Sequence, residues 1–480
     1  MFSLTDYTSR DALGLAELVA RKEVKAEELA DAAFAAIEKV NPQLNAVLQT
    51  LPDQARAEIR NGLPHGPFAG VPFLIKELVL HAKGVRCDHG SRLAQGFVAA
   101  EDTELMARFR RAGLVLVGTT QTPELGYNPT TETVLYGPVH NPWLRGHSAG
   151  GSSGGSGASV AAGIVPVAHA NDGGGSIRIP AACNGLVGLK PTRDRIPTGP
   201  DYADPLCGLA IEFAVSRTVR DTAALLDCVA GADVGAPGLP VPPARPFRDE
   251  VGANPGKLRI AWTVTPASGA KIDPECEKAV HETVKTLEGL GHTLVEDRPR
   301  YDWDEFLERV HVIWAVFNVL SADFAGQAMG RKPGPDNLEA VTWACYEEGK
   351  RYSAIDLLLS MSHGNALSRT VGAFFQNYDV MVTPTIARAP ARHGEINQNQ
   401  KVETAMDWTR HVFAYCPFTP LFNTTGQPAI SLPMHWAPNG LPIGVQFAGR
   451  FGDEATLIRL ASQLEQARPW KDRKPALFAA

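Results

Sequence analysis

Two serines set among glycines are the first residues of this 480-residue chain that could do chemistry. Ser152 stands in Gly150-Gly151-Ser152-Ser153-Gly154-Gly155, and Ser176 ends Asp172-Gly173-Gly174-Gly175-Ser176. A serine hydroxyl is a weak nucleophile until a base takes its proton. Successive glycines before a serine let the backbone approach a reacting group closely, and their N–H groups form a nest for a developing oxyanion. On that logic Ser176 is the candidate nucleophile. The N–H groups of Gly173, Gly174, Gly175 and Ser176 are the candidate oxyanion hole. Asp172 is read as pinning the loop by accepting backbone N–H bonds rather than as a charged reactant. A flexible Gly/Ser linker fits poorly, because the stretch contains Ile164-Val165-Pro166-Val167 and runs on into Ile177-Arg178-Ile179-Pro180.

Other chemistries fit these residues less well. A phosphate-cradling loop ends in Gly-Lys-Ser/Thr, and no lysine occurs between Arg145 and Leu189. Gly150-x-Ser152-x-Gly154 matches a nucleophile elbow, but that turn must follow a strand, and Asn141 to His147 is a poor strand. His147 and His169 flank the serines, yet no aspartate has an obvious place as the orienter of a Ser-His-Asp triad. No His/Asp/Glu spacing resembles a ligand set, so the expectation is a reaction with neither metal nor cofactor.

The elements that must position the serines follow from periodicity. Ala158 to His169 reads as a short packed helix and then a buried strand, Ile164 to His169. Val71-Pro72-Phe73-Leu74-Ile75 is an apolar run ending on Lys76, a buried strand that delivers a lysine to its end. On this fragment alone a lysine snorkelling at a strand end is the plainer reading. Asp11–Lys22 and Ala26–Val40 read as amphipathic helices, the second stopped by Asn41-Pro42. Glu101–Gly113 reads as a helix and Leu114–Thr119 as a parallel strand. Strands return at Lys257–Trp262 and Tyr378–Pro384, and Ala429–Trp436 pairs with Ile443–Gly449 through Asn439-Gly440. Asp273–Gly291 and Glu454–Arg468 read as helices. This alternation predicts an α/β fold, a large mixed β-sheet covered by helices on both faces, with residues 1–480 in one domain. Residues 235–256 form a Pro-rich surface excursion, with five prolines between Gly235 and Pro246. The aromatic helices Glu305–Met329 and Leu338–Arg351 fall in residues 300–370, expected to cap a pocket.

Composition excludes several classes. The 46 basic and 52 acidic residues are interspersed, for a net charge of −6, which argues against a nucleic-acid or acidic-membrane partner. Seven scattered cysteines without a C-x-x-C pair indicate neither a disulfide framework nor structural zinc, and a reducing cytoplasm is the simplest compartment. Met1–Asp11 lacks an apolar h-region and no run of eighteen apolar residues occurs, so neither secretion nor membrane spanning is expected. The expected partner is a small-molecule substrate, bound by a monomer or homodimer.

Six segments together resemble the amidase signature hydrolases. They are Pro72–Lys76, Gly150–Gly155, Asp172–Pro180, Gly185–Thr192, Phe422–Ile430 and Gly440–Gln446. The resemblance implies the amidase signature fold and a Ser–cisSer–Lys triad. Ser176 would be the nucleophile, Ser152 the bridging serine after a cis peptide from Gly151, and Lys76 the ultimate base. A lysine can serve so only when neutral, which requires burial without a carboxylate partner. Glu77 stands where the family more often has Asp. The family's pocket loop makes Gly126 and Tyr127 candidate substrate contacts. The arginine matching Arg178 holds an acidic substrate in some members and is structural in others; it is a third candidate contact, with structure the simpler role.

The implied activity is hydrolysis of a carboxylic amide to acid and amine through an acyl-enzyme. Asp-Gly-Gly-Gly-Ser, in place of the commoner Asp-Thr-Gly-Gly-Ser, resembles stand-alone bacterial amidases, including hydrolases of cyclic nylon-type oligomers. The same machinery can open aryl amides, esters and carbamates. One rival is the amidotransferase A-type subunit that supplies ammonia for tRNA-dependent glutamine formation, which typically has Gln where this chain has Ile179. Another is a non-catalytic binding protein on the same fold, against which the joint presence of Lys76, Ser152 and Ser176 argues.

Overall fold

The computed structural model describes residues 2–480. Eleven strands form one mixed sheet: β1 Val47–Thr50, β2 Pro72–Lys76, β3 Val115–Thr120, β4 Val167–Asp172, β5 Val187–Lys190, β6 Ile211–Ser216, β7 Arg259–Trp262, β8 Thr293–Glu296, β9 Val380–Pro384, β10 Ala429–Trp436 and β11 Pro442–Gly449. Their spatial order is β1-β3-β2-β4-β6-β5-β10-β11-β9-β7-β8. β2 runs parallel to both β3 and β4, whereas β4, β6, β5, β10 and β11 are joined by antiparallel pairings. The central strands are buried along their whole length, as continuous apolar runs such as Val115-Leu116-Val117 require when helices cover both faces.

The parallel pairing of β2 with β4 builds the site. Leu74 pairs with Ala168, so both strands end at the same edge of the sheet, β2 on Lys76 and β4 on Asn171-Asp172. Ligands of parallel sheets bind beyond such carboxyl ends. The strand expected at Ile164–His169 is shifted, starting at Val167 and running to Asp172. Ile164 to Pro166 instead completes the turn out of the helix Gly154–Ala161. That helix needs its glycines for contact. A Cβ on Gly155 would lie 2.5 Å from the Gln121 backbone N, and one on Gly154 would lie 2.3 Å from Thr131 Oγ1.

The helix expected to stop at Asn41-Pro42 continues to Leu44 with Pro42 inside its last turn. The turn closes on the Asn45 N–H, which donates to the Asn41 carbonyl, and the Asn41 side chain ties down the residues that follow. Its Oδ1 accepts from the N–H groups of Ala46 and Val47, and its Nδ2 donates to the Val47 carbonyl. Most of the Pro-rich stretch from Gly235 to Arg245 is exposed, and Phe247 then anchors the chain in the core beneath the Arg195 guanidinium, 5.5 Å from the ring centre.

The region 300–370 holds the helices Trp303–Met329, Ala340–Gly349 and most of Ala354–Phe374. Trp303–Met329 is long and apolar enough, by length and composition, to cross a bilayer. Here it packs against the two helices that follow it, and buries Phe306, Val310, His311 and Ile313.

Candidate active site

Lys76 is fully buried. Its Nζ lies 2.7 Å from Ser152 Oγ and donates to Asn171 Oδ1 at 2.5 Å. Its backbone N–H donates to His169 Nδ1 at 3.3 Å, and His169 Nε2 meets Glu212 Oε2 at 2.6 Å. With Nδ1 accepting, the His169 proton sits on Nε2 and points to the carboxylate. His169 and Asn171 are alternate residues of β4 and so share the face turned to Lys76. Burial lowers the Lys76 ammonium to about 7, against the opposing pull of the Glu212 and Asp172 charges, and Nζ makes no ion pair among the described residues. Glu77 is no partner to it. That side chain is buried with both carboxylate oxygens unpartnered, and burial, then the Asp88 charge, push it up to about 8.

Ser152 follows a cis peptide from Gly151 and precedes the helix Gly154–Ala161. Ser176 is 8% exposed and lines the same cavity as Ser152. Among the described residues no hydrogen bond joins the two hydroxyls. The structure thus brings Lys76 and Ser152 into contact and sets Ser176 on the cavity wall beside them.

The glycine loop is held by Asp172. Its Oδ1 accepts from the Gly175 N–H at 2.7 Å, and its Oδ2 accepts from the Ile177 N–H at 3.1 Å. The Gly174 carbonyl accepts from Thr419 Oγ1 at 2.7 Å. The Gly174–Gly175 peptide is therefore occupied at both ends, which corrects one expectation: the Gly175 N–H is spent on Asp172 and is not a free oxyanion donor. Gly173, Gly174 and Ser176 remain, because their N–H groups have no acceptor among the described residues. Gly175 has φ +137°, and a Cβ there would lie 2.5 Å from Thr419 Oγ1, so no other residue type fits the loop without displacing it.

Arg178 is also corrected as a substrate contact. It has no exposed surface, and each of its five N–H groups has a protein acceptor. Nε and Nη2 meet the two Asp172 carboxylate oxygens, both at 2.9 Å. Nη1 donates to the Thr419 carbonyl and Gln446 Oε1, and Nη2 also to Asn423 Oδ1. Burial alone would raise the Asp172 carboxyl, but the Arg178 guanidinium holds it well below the usual carboxylate range. The pair is the clamp beneath the loop.

Gly126 and Tyr127 do line the cavity system. The Tyr127 hydroxyl meets Thr409 Oγ1 at 3.2 Å, so its ring forms the wall while its polar end is tied back to Thr409, His311 and Glu348. The cavity that Ser152 and Ser176 line measures 340 Å³ and is largely apolar. One face of Trp303–Met329 supplies Trp314, Phe317, Phe324 and Met329 to it. Sequence reasoning missed Asn171, His169 and Glu212 as the surroundings of Lys76. The signal was present for the first two: polar residues at alternate positions of an otherwise small, apolar strand.

The amidase family model matches residues 28–458. The 6-aminohexanoate-cyclic-dimer hydrolase of Paenarthrobacter ureafaciens is 37% identical over 481 residues, covering 98% of this chain and 97% of the relative. The putative amidase AmiC of Mycobacterium tuberculosis is 37% identical over 462 residues, covering 96% of this chain and 95% of the relative. A solved structure of 6-aminohexanoate cyclic dimer hydrolase matches with TM-score 0.93 at 36% identity, over 98% of this chain and 99% of that one. A bacterial aryl acylamidase of the amidase signature family matches with TM-score 0.86 at 26% identity, over 96% of each chain. The chain belongs to the amidase family.

Proposed function

We propose that this amidase hydrolyses carboxylic amides with apolar flanks by a Ser–cisSer–Lys acyl-enzyme mechanism. The observation that carries it is the buried, unpaired Lys76 amine 2.7 Å from Ser152 Oγ, on the cavity that Ser176 also lines. Neutral Lys76 keeps one N–H on Asn171 and turns its lone pair to the Ser152 proton. Ser152 in turn takes the Ser176 proton as Ser176 Oγ attacks the amide carbon; the relay needs a hydrogen bond between the two serines, formed as the Ser176 hydroxyl turns. The oxyanion is received by the N–H groups of Gly173, Gly174 and Ser176, each worth about 2.7–4 kcal/mol of transition-state stabilisation where such donors have been removed. The proton returns through Ser152 to the leaving nitrogen, the C–N bond breaks, and water hydrolyses the ester at Ser176 by the same relay.

The names of the relatives point to aryl amides and cyclic amide oligomers, and the apolar cavity accommodates either. The helices of residues 300–370 serve as the cap, because Trp303–Met329 forms its wall. The amidotransferase reading is weaker. Ile179 presents an aliphatic side chain to the pocket where a glutamine side chain would want polar partners, and likeness to that subunit at 24% identity reaches only the fold. No step calls on a metal or cofactor.

The test is turnover of an anilide together with labelling by a fluorophosphonate. Label on Ser176, and loss of both label and turnover in Ser176→Ala, is the expected result. Label on Ser152 or Ser153 with Ser176 untouched would overturn it.

A further inference from the structure

The space around Ser176 has two lobes. The outer is the 340 Å³ cavity, and Ser152, Asn171 and Gly173 lie on its wall. The inner is a narrow 40 Å³ recess with Gly174, Ile179, Val412, Phe413 and Cys416 on its wall, and Ser152 is not among its lining residues. Ser176, Gly126 and Trp314 border both lobes. Trp314 stands over the glycine loop. A methyl on Gly173 would lie 3.1 Å from Trp314 Cζ2, and one on Gly174 would lie 3.8 Å from it. The indole also packs on the Tyr127 ring at 5.4 Å between centres, so it is braced from the inner side.

We infer that the two lobes divide the substrate at its scissile bond, with the acyl arm in the inner recess, the amine arm in the outer cavity, and Trp314 as the partition that sets acyl length. This rests on the acyl-enzyme reading above. The warrant is the position of the proton donor. The leaving nitrogen must take its proton from Ser152, and Ser152 faces only the outer lobe. The nitrogen and its substituent therefore lie there, and the acyl chain, on the other side of the carbonyl, is directed to the recess. Size then sets the class. At about 10–15 Å³ for each water-sized group, the 40 Å³ recess takes about three non-hydrogen atoms beyond the carbonyl, and the outer cavity takes about 25. The preferred substrate is an open-chain amide of a short, unbranched acid with a bulky apolar or aromatic amine. A cyclic diamide ties both arms into one ring, must keep both in the outer lobe, and is the poorer substrate.

The experiment compares two series. In one, anilides carry straight acyl chains from acetyl to octanoyl; in the other, acetamides carry amines from methylamine to naphthylmethylamine. The first should peak near butyryl and then fall, by about tenfold or more in kcat/KM once the recess is overfilled. The second should rise with amine size. Trp314→Ala should move the acyl optimum to longer chains, Trp314→Phe should keep it, and Val412→Phe should shorten it, so the proposal survives the loss of any one variant to misfolding. A wild-type preference for octanoyl over butyryl, a cyclic diamide cleaved faster than every short-acyl anilide, or a chain-length profile unmoved in folded Trp314→Ala and Val412→Phe would overturn the assignment while leaving the amidase reading intact. Absence of turnover in both series, with no fluorophosphonate label at Ser176, would instead remove the acyl-enzyme reading and this inference with it.

Discussion

Replacing Lys76 by arginine separates a proton-accepting lysine from a structural cation. Burial takes the Lys76 ammonium from 10.5 to about 7, a depression of 3.5. At pH 7.5 about three-quarters of such a group is neutral. An arginine starts at about 12.5–13.8 and stays protonated in proteins even when buried. Lys76→Arg should therefore lose about 10²-fold or more in kcat/KM on an anilide, within the range of about 10²–10⁴ typical of general acid–base catalysis. A p-nitrophenyl ester, whose leaving group needs no proton, should lose less. In the wild type, anilide turnover should fall about tenfold from pH 8 to pH 6, because protonation below about 7 removes the base. The assay is kcat/KM for both substrates from pH 5.5 to 8.5, with circular dichroism to establish folding. A folded Lys76→Arg enzyme within about threefold of wild type on the anilide, or a wild-type profile flat across pH 7, would refute the reasoning.

The same burial has a cost to stability. The folded-state value lies below the unfolded one, so the folded protein binds fewer protons between about 7 and 10.5, and the penalty is full below that window and gone above it. Lys76→Met should be inactive on amides yet more stable at pH 7. The penalty of about 5 kcal/mol, less about 1–3 for the orphaned Asn171 Oδ1, leaves a gain of roughly 2–4 that shrinks as pH climbs to 10.5; chemical denaturation at several pH values reads it. Asp172→Asn leaves the Arg178 charge buried without its partner and should cost about 3–5 kcal/mol, along with label at Ser176, as probe labelling beside a denaturation curve would report. Gly175→Ala forces a Cβ to 2.5 Å from Thr419 Oγ1 at a positive φ and should abolish anilide turnover while the sheet still folds, read as activity against far-ultraviolet circular dichroism. Extensive dialysis against a chelator should leave anilide turnover unchanged, because every proton transfer is assigned to Lys76, Ser152 and Ser176.

What was legible in the chain was what short range determines. The unbroken apolar run in Leu114–Thr119 read as a parallel strand, and the strand pair around Asn439-Gly440 was set by its turn. The glycine motifs located Ser152 and Ser176, because few other local structures ask for such a pattern. Errors arose where a side chain overrode the backbone rule. Pro42 did not end its helix: the last turn closes beyond it on the Asn45 N–H, which donates to the Asn41 carbonyl, and the Asn41 side chain ties down Ala46 and Val47 just after the helix end. Gly175 was expected to face the substrate, but a carboxylate three residues earlier in the chain took its N–H.

The surroundings of Lys76 could not be read at all from its own segment. The apolar run before it was compatible with an ordinary surface lysine, and only the pairing of Leu74 with Ala168 places it against Asn171. Glu212 comes from β6, the strand on the far side of β4, and reaches the site through His169. Two opposed influences meet there. Burial strips the ammonium of water and favours the free amine, while a carboxylate behind an imidazole keeps the proton affinity from falling further. A base for amide hydrolysis must release a proton to Ser152 as readily as it accepts one. A value near the working pH serves both directions, and a strand-end lysine reaches it only when the neighbouring strands supply polar groups that stop short of an ion pair.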